Sequence, residues 1–253
     1  MSLPKLIISI DRSILSQTSE DCLVLLREVN KTFTTAFAVA QLTATLTGDR
    51  QLLSCNVFTW VDEFQITAWK PYDEGLLAPQ ATTVCNPVEI TYKQTTQFIN
   101  SVFQPAKLLG TQAWSNPPEK TFAIEKLGFR FRFRVSQRAR PNGQFLPLFT
   151  SRFTPSLQGR TEICIGDKAS LSLRKFAMFW SNVRVSPGDA VTLPEDKSQS
   201  HIVTLADDLP KHMRYGYLSP DKPTPDENPG WYPEPLPPTY VPIGSTNGST
   251  AKL

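Results

Sequence analysis

Residues 128–135 read Gly-Phe-Arg-Phe-Arg-Phe-Arg-Val, a strict alternation of apolar and charged side chains. Only an extended strand sorts such a series onto two faces, because its side chains alternate with a period of two. Weaker versions of the same pattern recur along most of the chain, with turn residues between them. They predict strands over 5–11, within 32–47, and over 56–69, 88–98, 129–135 and 145–153. Further strands are expected over 160–165, 170–176, 179–185, 191–193 and 201–205. Asn142-Gly143 after Pro141 supplies a tight turn, and Pro147 marks an edge or a bulge in the strand that returns. The segments 160–165 and 170–176 read as another hairpin around Gly166-Asp167, and Pro187-Gly188-Asp189 turns the chain again. Residues 20–33 fit either a helical stripe through Cys22, Leu25, Leu26, Val29 and Phe33 or a buried strand. The surrounding pattern favours the strand. Strands about ten residues apart, without alternating helices, predict an all-β fold built as an antiparallel β-sandwich.

Proline sharpens the division of the chain. There are 22 prolines in 253 residues, and nine of them fall between Pro220 and Pro242. A mostly helical protein is excluded, since each proline breaks the hydrogen-bond ladder where it falls. The composition predicts a β-sandwich domain over 1–212 and a proline-rich, extended tail over 213–253. Trp231 and Tyr232 also suit a tail that folds back and covers a sheet edge.

Charge and cysteine usage narrow the function classes. A formal net charge of +3 is too small to argue for nucleic acid, and no nucleic-acid-binding motif accompanies it. Cys22, Cys55, Cys85 and Cys164 show no CxxC spacing and read as reduced thiols. The apolar run Leu6–Ile10 is too short for a signal-peptide core, and no stretch is long enough for a membrane span. A cytoplasmic protein is expected, so the sequons at Asn30 and Asn247 carry no weight.

Three constellations bear on function. Leu236 precedes Pro237-Pro238-Thr239-Tyr240, the PPxY pattern bound by WW domains. A preformed extended helix loses little entropy on docking, its prolines fit an aromatic groove, and the tyrosine fills a second pocket. Next, Arg130, Arg132 and Arg134 share one strand face, opposite Phe129, Phe131 and Phe133. A soluble sheet face of this kind ordinarily pairs its arginines with carboxylates on neighbouring strands, and the alternative is an anionic ligand. Finally, Asp62 falls among Phe58, Trp60 and Phe64 on an aromatic face, with Glu63 on the opposite side. An inward Asp62 is expected to have a raised pKa, which makes it the catalytic candidate if the chain is an enzyme. No nucleophile elbow, P-loop or dinucleotide fingerprint is present. His201, Asp207, Asp208 and His212 are accounted for by a turn into the tail, so neither a metal nor a cofactor is expected.

The opening KLIISIDRSILSQTSEDCLVLLREVNKTFTTAF resembles the start of arrestin-like and related immunoglobulin-like sandwiches of filamentous fungi. A tail carrying PPxY is similar to the tails of arrestin-related adaptors, which recruit WW-domain ubiquitin ligases. The chain has room for one complete sandwich where arrestins have two, so only Pro237, Pro238 and Tyr240 carry over. The expected function is therefore a non-enzymatic interaction or adaptor protein with a WW-domain partner. The alternatives are a lectin-like or lipid-headgroup-binding module, and an enzyme of small-molecule metabolism that uses a buried carboxylate in a β cavity.

Overall fold

A computed structural model describes residues 5–15, 21–41, 52–69, 86–100, 102–108, 120–127, 132–139, 145–151, 158–165, 173–196, 199–206, 209–218 and 227–236. Among them are sixteen strands and one short helix, α1 (Arg12–Leu15). The first strands are β1 (Lys5–Ile10), β2 (Cys22–Arg27), β3 (Ala36–Gln41) and the long β4 (Cys55–Trp69). Shorter ones follow: β5 (Val88–Ile90), β6 (Gln94–Ile99), β7 (Val102–Phe103) and β8 (Lys107–Leu108). Then come β9 (Thr121–Leu127), β10 (Arg132–Ala139), β11 (Phe145–Thr150) and β12 (Gln158–Cys164). The last are β13 (Leu173–Ser181), β14 (Ser200–Ala206), β15 (Lys211–Gly216) and β16 (Gly230–Pro233).

These strands form three sheets around a shared core, the all-β, sandwich-like class that the alternation predicts. The largest runs β11-β10-β4-β1-β15-β16, with β5 also paired to β4. A second runs β12-β9-β6-β7, with β8 on β6, and a third runs β14-β13-β2-β3. Most pairings are antiparallel; β1 with β15 and β6 with β9 are parallel. Leu6 and Ile8, Leu23 and Leu25, Phe64, Phe122, Phe133 and Phe176 meet in the main core. On the far side of β2, Cys22, Val24 and Leu26 pack with Ala177, Phe179 and Val185 in a smaller one. β2 is therefore buried on both faces, which explains why its sequence is a continuous apolar run that also suits a helix.

Several expectations are corrected. The segments around Gly166-Asp167 are not a hairpin, because β12 pairs with β9 while β13 pairs with β14 and β2. The expected strand over 88–98 is two strands, split by a turn in which Lys93 takes φ 63°. Residues 191–193 are not a strand. Other details hold: β11 is an edge strand with a register shift next to Pro147, and Gly188 turns at φ 94°. The Pro141-Asn142-Gly143 turn, Phe129 and Phe131 lie outside the described residues. Cys22, Cys55 and Cys164 are free thiols, and Cys85 also lies outside. Among the described residues no helix is long and apolar enough to cross a membrane.

The sheet continues past the compositional boundary at 212. β15 runs to Gly216, and β16 pairs antiparallel with it through Met213–Pro233, Arg214–Tyr232 and Tyr215–Trp231. Part of the proline-rich segment thus folds back and covers the β15 edge, the arrangement for which Trp231 and Tyr232 are suited.

Candidate functional site

Strand β4 changes partner along its length. Lys5–Thr59 through Ser9–Cys55 pair it with β1, while its second half pairs with β10. On β10, Gln137 pairs with Phe64 and Ala139 with Trp60, leaving Val61, Asp62 and Glu63 opposite Arg138 alone. Bulges of this kind bend a strand and re-aim its side chains. Asp62 and Glu63 point to different neighbours, as alternation requires. Glu63 takes the Arg138 Nε at 2.5 Å, and Asp62 meets Arg27 and Arg174.

The two arginines arrive from the third sheet. Arg27 is in phase with Leu23 and Leu25 on β2, and Arg174 is in phase with Phe176 and Met178 on β13, so both face the main core. They are 2% and 4% exposed, and the Asp62 side chain is 24% exposed. An Arg174 Nη2 donates to Asp62 Oδ2, and Arg27 Nη2 lies 3.5 Å from Asp62 Oδ1. The wholly buried Gln137 closes the network. Its Oε1 accepts from Arg27 Nη1, and its Nε2 donates to the Val61 carbonyl at 2.9 Å. The Arg27 guanidinium also lies 5.7 Å from the Phe176 ring centroid. Tyr92, in the turn between β5 and β6, packs on Phe64 with ring centroids 5.3 Å apart.

This geometry reverses the expectation for Asp62. Burial pushes its pKa up, but the charges of Arg27 and Arg174 and the bond from Arg174 outweigh burial. The carboxyl is held below its ordinary range. Asp62 is thus an ionised counter-charge rather than a poised general acid. Burial pushes the Tyr92 phenol up, and Asp62 adds to that against the opposing pull of Arg27. An open cleft of about 230 Å³ lies elsewhere, lined by Thr95, Gln97, Ile99, Gln104, Pro105 and Lys107. It carries no aromatic ring and no carboxylate, so it does not match the cavity an enzyme reading of Asp62 requires.

The arginine face is partly described. Phe133 is buried as expected, Arg132 and Arg134 are half-buried and both engaged by neighbouring groups, and Arg130 lies outside the described residues. Burial pushes the Arg134 pKa down. Further along the strand, Arg138 reaches Glu63 on β4 and Glu89 on β5, with its guanidinium 4.6 Å from the Phe145 centroid.

The C-terminal edge holds a second polar cluster. His212 Nδ1 lies 2.5 Å from the Pro235 carbonyl, which can only accept, so that nitrogen carries a proton. In the neutral ring Nε2 then accepts from the Ser9 hydroxyl, at 2.7 Å. The Glu234 amide donates to the His212 carbonyl at 3.1 Å, and Arg214 Nε meets the Glu234 carboxylate at 2.5 Å. Arg214 also donates to Asp11 at 2.9 Å, and Asp11 accepts from the Tyr217 amide at 3.0 Å. Aromatic contacts complete the edge. Trp231 packs on Tyr215 at 4.8 Å and stacks on His201 at 6.3 Å, with Tyr215 on Trp180 at 5.0 Å. The histidines are thus used in anchoring the segment 231–235. Pro237, Pro238 and Tyr240 lie outside the described residues, as do Asp207 and Asp208.

Sequence reasoning reached Asp62 but missed Arg27, Arg174 and Gln137. A usable signal was present for Gln137, which continues the inward phase of Phe133 and Val135 along β10; Arg27 stands at the end of a continuous apolar run that marks no phase. Comparison of the chain with family models, curated proteins and solved structures finds no match.

Proposed function

We propose that this chain is a non-enzymatic interaction protein whose β domain presents Pro237-Pro238-Thr239-Tyr240 to a WW domain. One observation carries the reading. The chain is fastened to the sheet by β16, by Glu234 and by Pro235, so the motif starts two residues after the last anchor. A proline-rich ligand tethered close to a fixed point has less entropy to lose on docking. Asp62 supports the non-enzymatic part, since its carboxylate is committed to two arginines. On this reading the arrestin-like resemblance supplies the partner class, a ubiquitin ligase bearing WW domains.

The test is a calorimetric titration of a WW domain into the full chain and into Tyr240→Ala. The reading expects saturable binding that weakens at least tenfold in the variant, because the tyrosine pocket empties. Equal affinity for the two proteins contradicts it.

A further inference from the structure

The outer face of the first sheet carries an apolar row that ends in the open. Leu6, Ile8 and Met213 belong to the main core and Phe58 packs against it. Alternation therefore turns Ile7, Ser9, His212, Arg214, Cys55 and Val57 to the other side. The ladder places Val57, Ile7 and His212 side by side on β4, β1 and β15. Ile7 and His212 are buried, whereas Val57 is 55% exposed and Cys55 is exposed beside it. One exposed aliphatic side chain is ordinary, so the row gains meaning from what lies at its other end. There His212 Nδ1 meets the Pro235 carbonyl, Arg214 meets the Glu234 carboxylate, and the Arg214 guanidinium lies 5.0 Å from the Tyr232 ring centroid. The last anchored residues before the proline-tyrosine motif thus lie against the same outer face as Val57.

We infer that a WW domain gripping Pro237-Pro238-Thr239-Tyr240 makes a second contact on this outer face, centred on Val57. The inference rests on the function proposed above and names the rest of the partner's footprint. The motif begins two residues after Pro235, so its start lies within about 7 Å of the anchor. β15, β1 and β4 are successive strands, which sets Val57 about 10 Å from His212. A folded domain of about 40 residues has a radius of gyration near 9 Å, so one held that close to the anchor covers the neighbouring face. Residues 51–61 include no charged side chain, and no desolvated charge opposes the contact there. The anchor then does more than limit entropy loss: it sets where the partner sits, and the sheet face adds to the affinity of the motif.

Calorimetric titration of a WW domain into the full chain, Val57→Ser and Val102→Ser tests the proposal. Val102 is a comparably exposed valine, at 51%, but stands on β7 of the second sheet. Val57→Ser is expected to weaken binding about fivefold, the factor for burying roughly half of one aliphatic side chain. Val102→Ser is expected to leave affinity unchanged. Val57→Thr keeps the branched shape and is expected to weaken binding in the same sense, which guards against a serine variant that does not fold. A flexible Gly/Ser linker of about twelve residues between Leu236 and Pro237 frees the partner from the face, so Val57→Ser is expected to lose its effect in that background. Equal affinity of the full chain and the Val57 variants overturns the proposal and leaves the motif reading standing. Tighter binding by those variants overturns it as well, because the face then holds the tail and not the partner. A full chain that binds no WW domain overturns both.

Discussion

At the scale of single residues, the chain shows how neighbours decide the behaviour of a polar group. Asp62 sits on an aromatic strand, and burial by itself raises its pKa; two arginines from another sheet reverse the sign. Those arginines are distant in sequence, so nothing local announces them. Asp62→Asn is expected to lower stability by about 3–5 kcal/mol at pH 7, because it leaves buried guanidinium groups without their counter-charge. Urea unfolding measures that loss. The pH dependence has a definite sign. The folded pKa lies below the ordinary value of 3.8, so the contribution of Asp62 is complete above that value. It disappears as pH falls through the lower folded value, and the asparagine variant lacks this part of the acid transition. A second residue makes a favourable prediction. Val29 and Thr32 bracket a two-residue turn in which Asn30 takes φ 50° and Lys31 takes φ 65°. Asparagine tolerates that region, and its side chain also accepts from the Cys164 amide at 2.8 Å. Lysine gains nothing there, so Lys31→Gly is expected to raise stability by up to about 1 kcal/mol in the same assay.

At the scale of elements, strands with one wet face were the most legible. β4 and β14 fall where period-two alternation puts them, because solvent on one side imposes the pattern, and β10 takes up the alternating segment but runs on to Ala139. β2 was ambiguous for the opposite reason: it is buried on both sides, so no polar phase marks it as extended. Pairing was less legible than existence. Two strands flanking Gly166-Asp167 look like a hairpin, yet each joins a different sheet, and local turn chemistry cannot report partners so far along the chain. The same limit hid the buried cluster, since Arg27, Gln137 and Arg174 are brought to Asp62 only by the bulge in β4 and the stacking of sheets. β16 yields a prediction of its own. It covers the edge of β15, and Trp231 lies against Tyr215 and His201. Trp231→Ala is expected to cost about 1–3 kcal/mol from lost ring contacts and burial. A chain cut after Leu218 leaves the β15 edge open and is expected to self-associate. Light scattering against concentration, compared with the intact chain, detects this.

At the scale of the molecule, the β domain and the proline-rich segment are less separate than composition suggests. Proline density marks a change near residue 212, but hydrogen bonding carries the sheet through β15 and on to β16. The prolines in this stretch are compatible with the sheet because β16 is an edge strand, where missing amide donors cost least. Pro235 contributes a carbonyl to His212, which fastens the chain just before the motif. The central claim is that the domain is a base and the motif after it is the ligand. The most direct test compares a WW domain's affinity for the intact chain with its affinity for a chain ending at Leu236. That truncation keeps β16, Glu234 and Pro235, so the melting temperature is expected to stay unchanged while binding is lost. Undiminished binding to the truncated, folded chain would contradict the account.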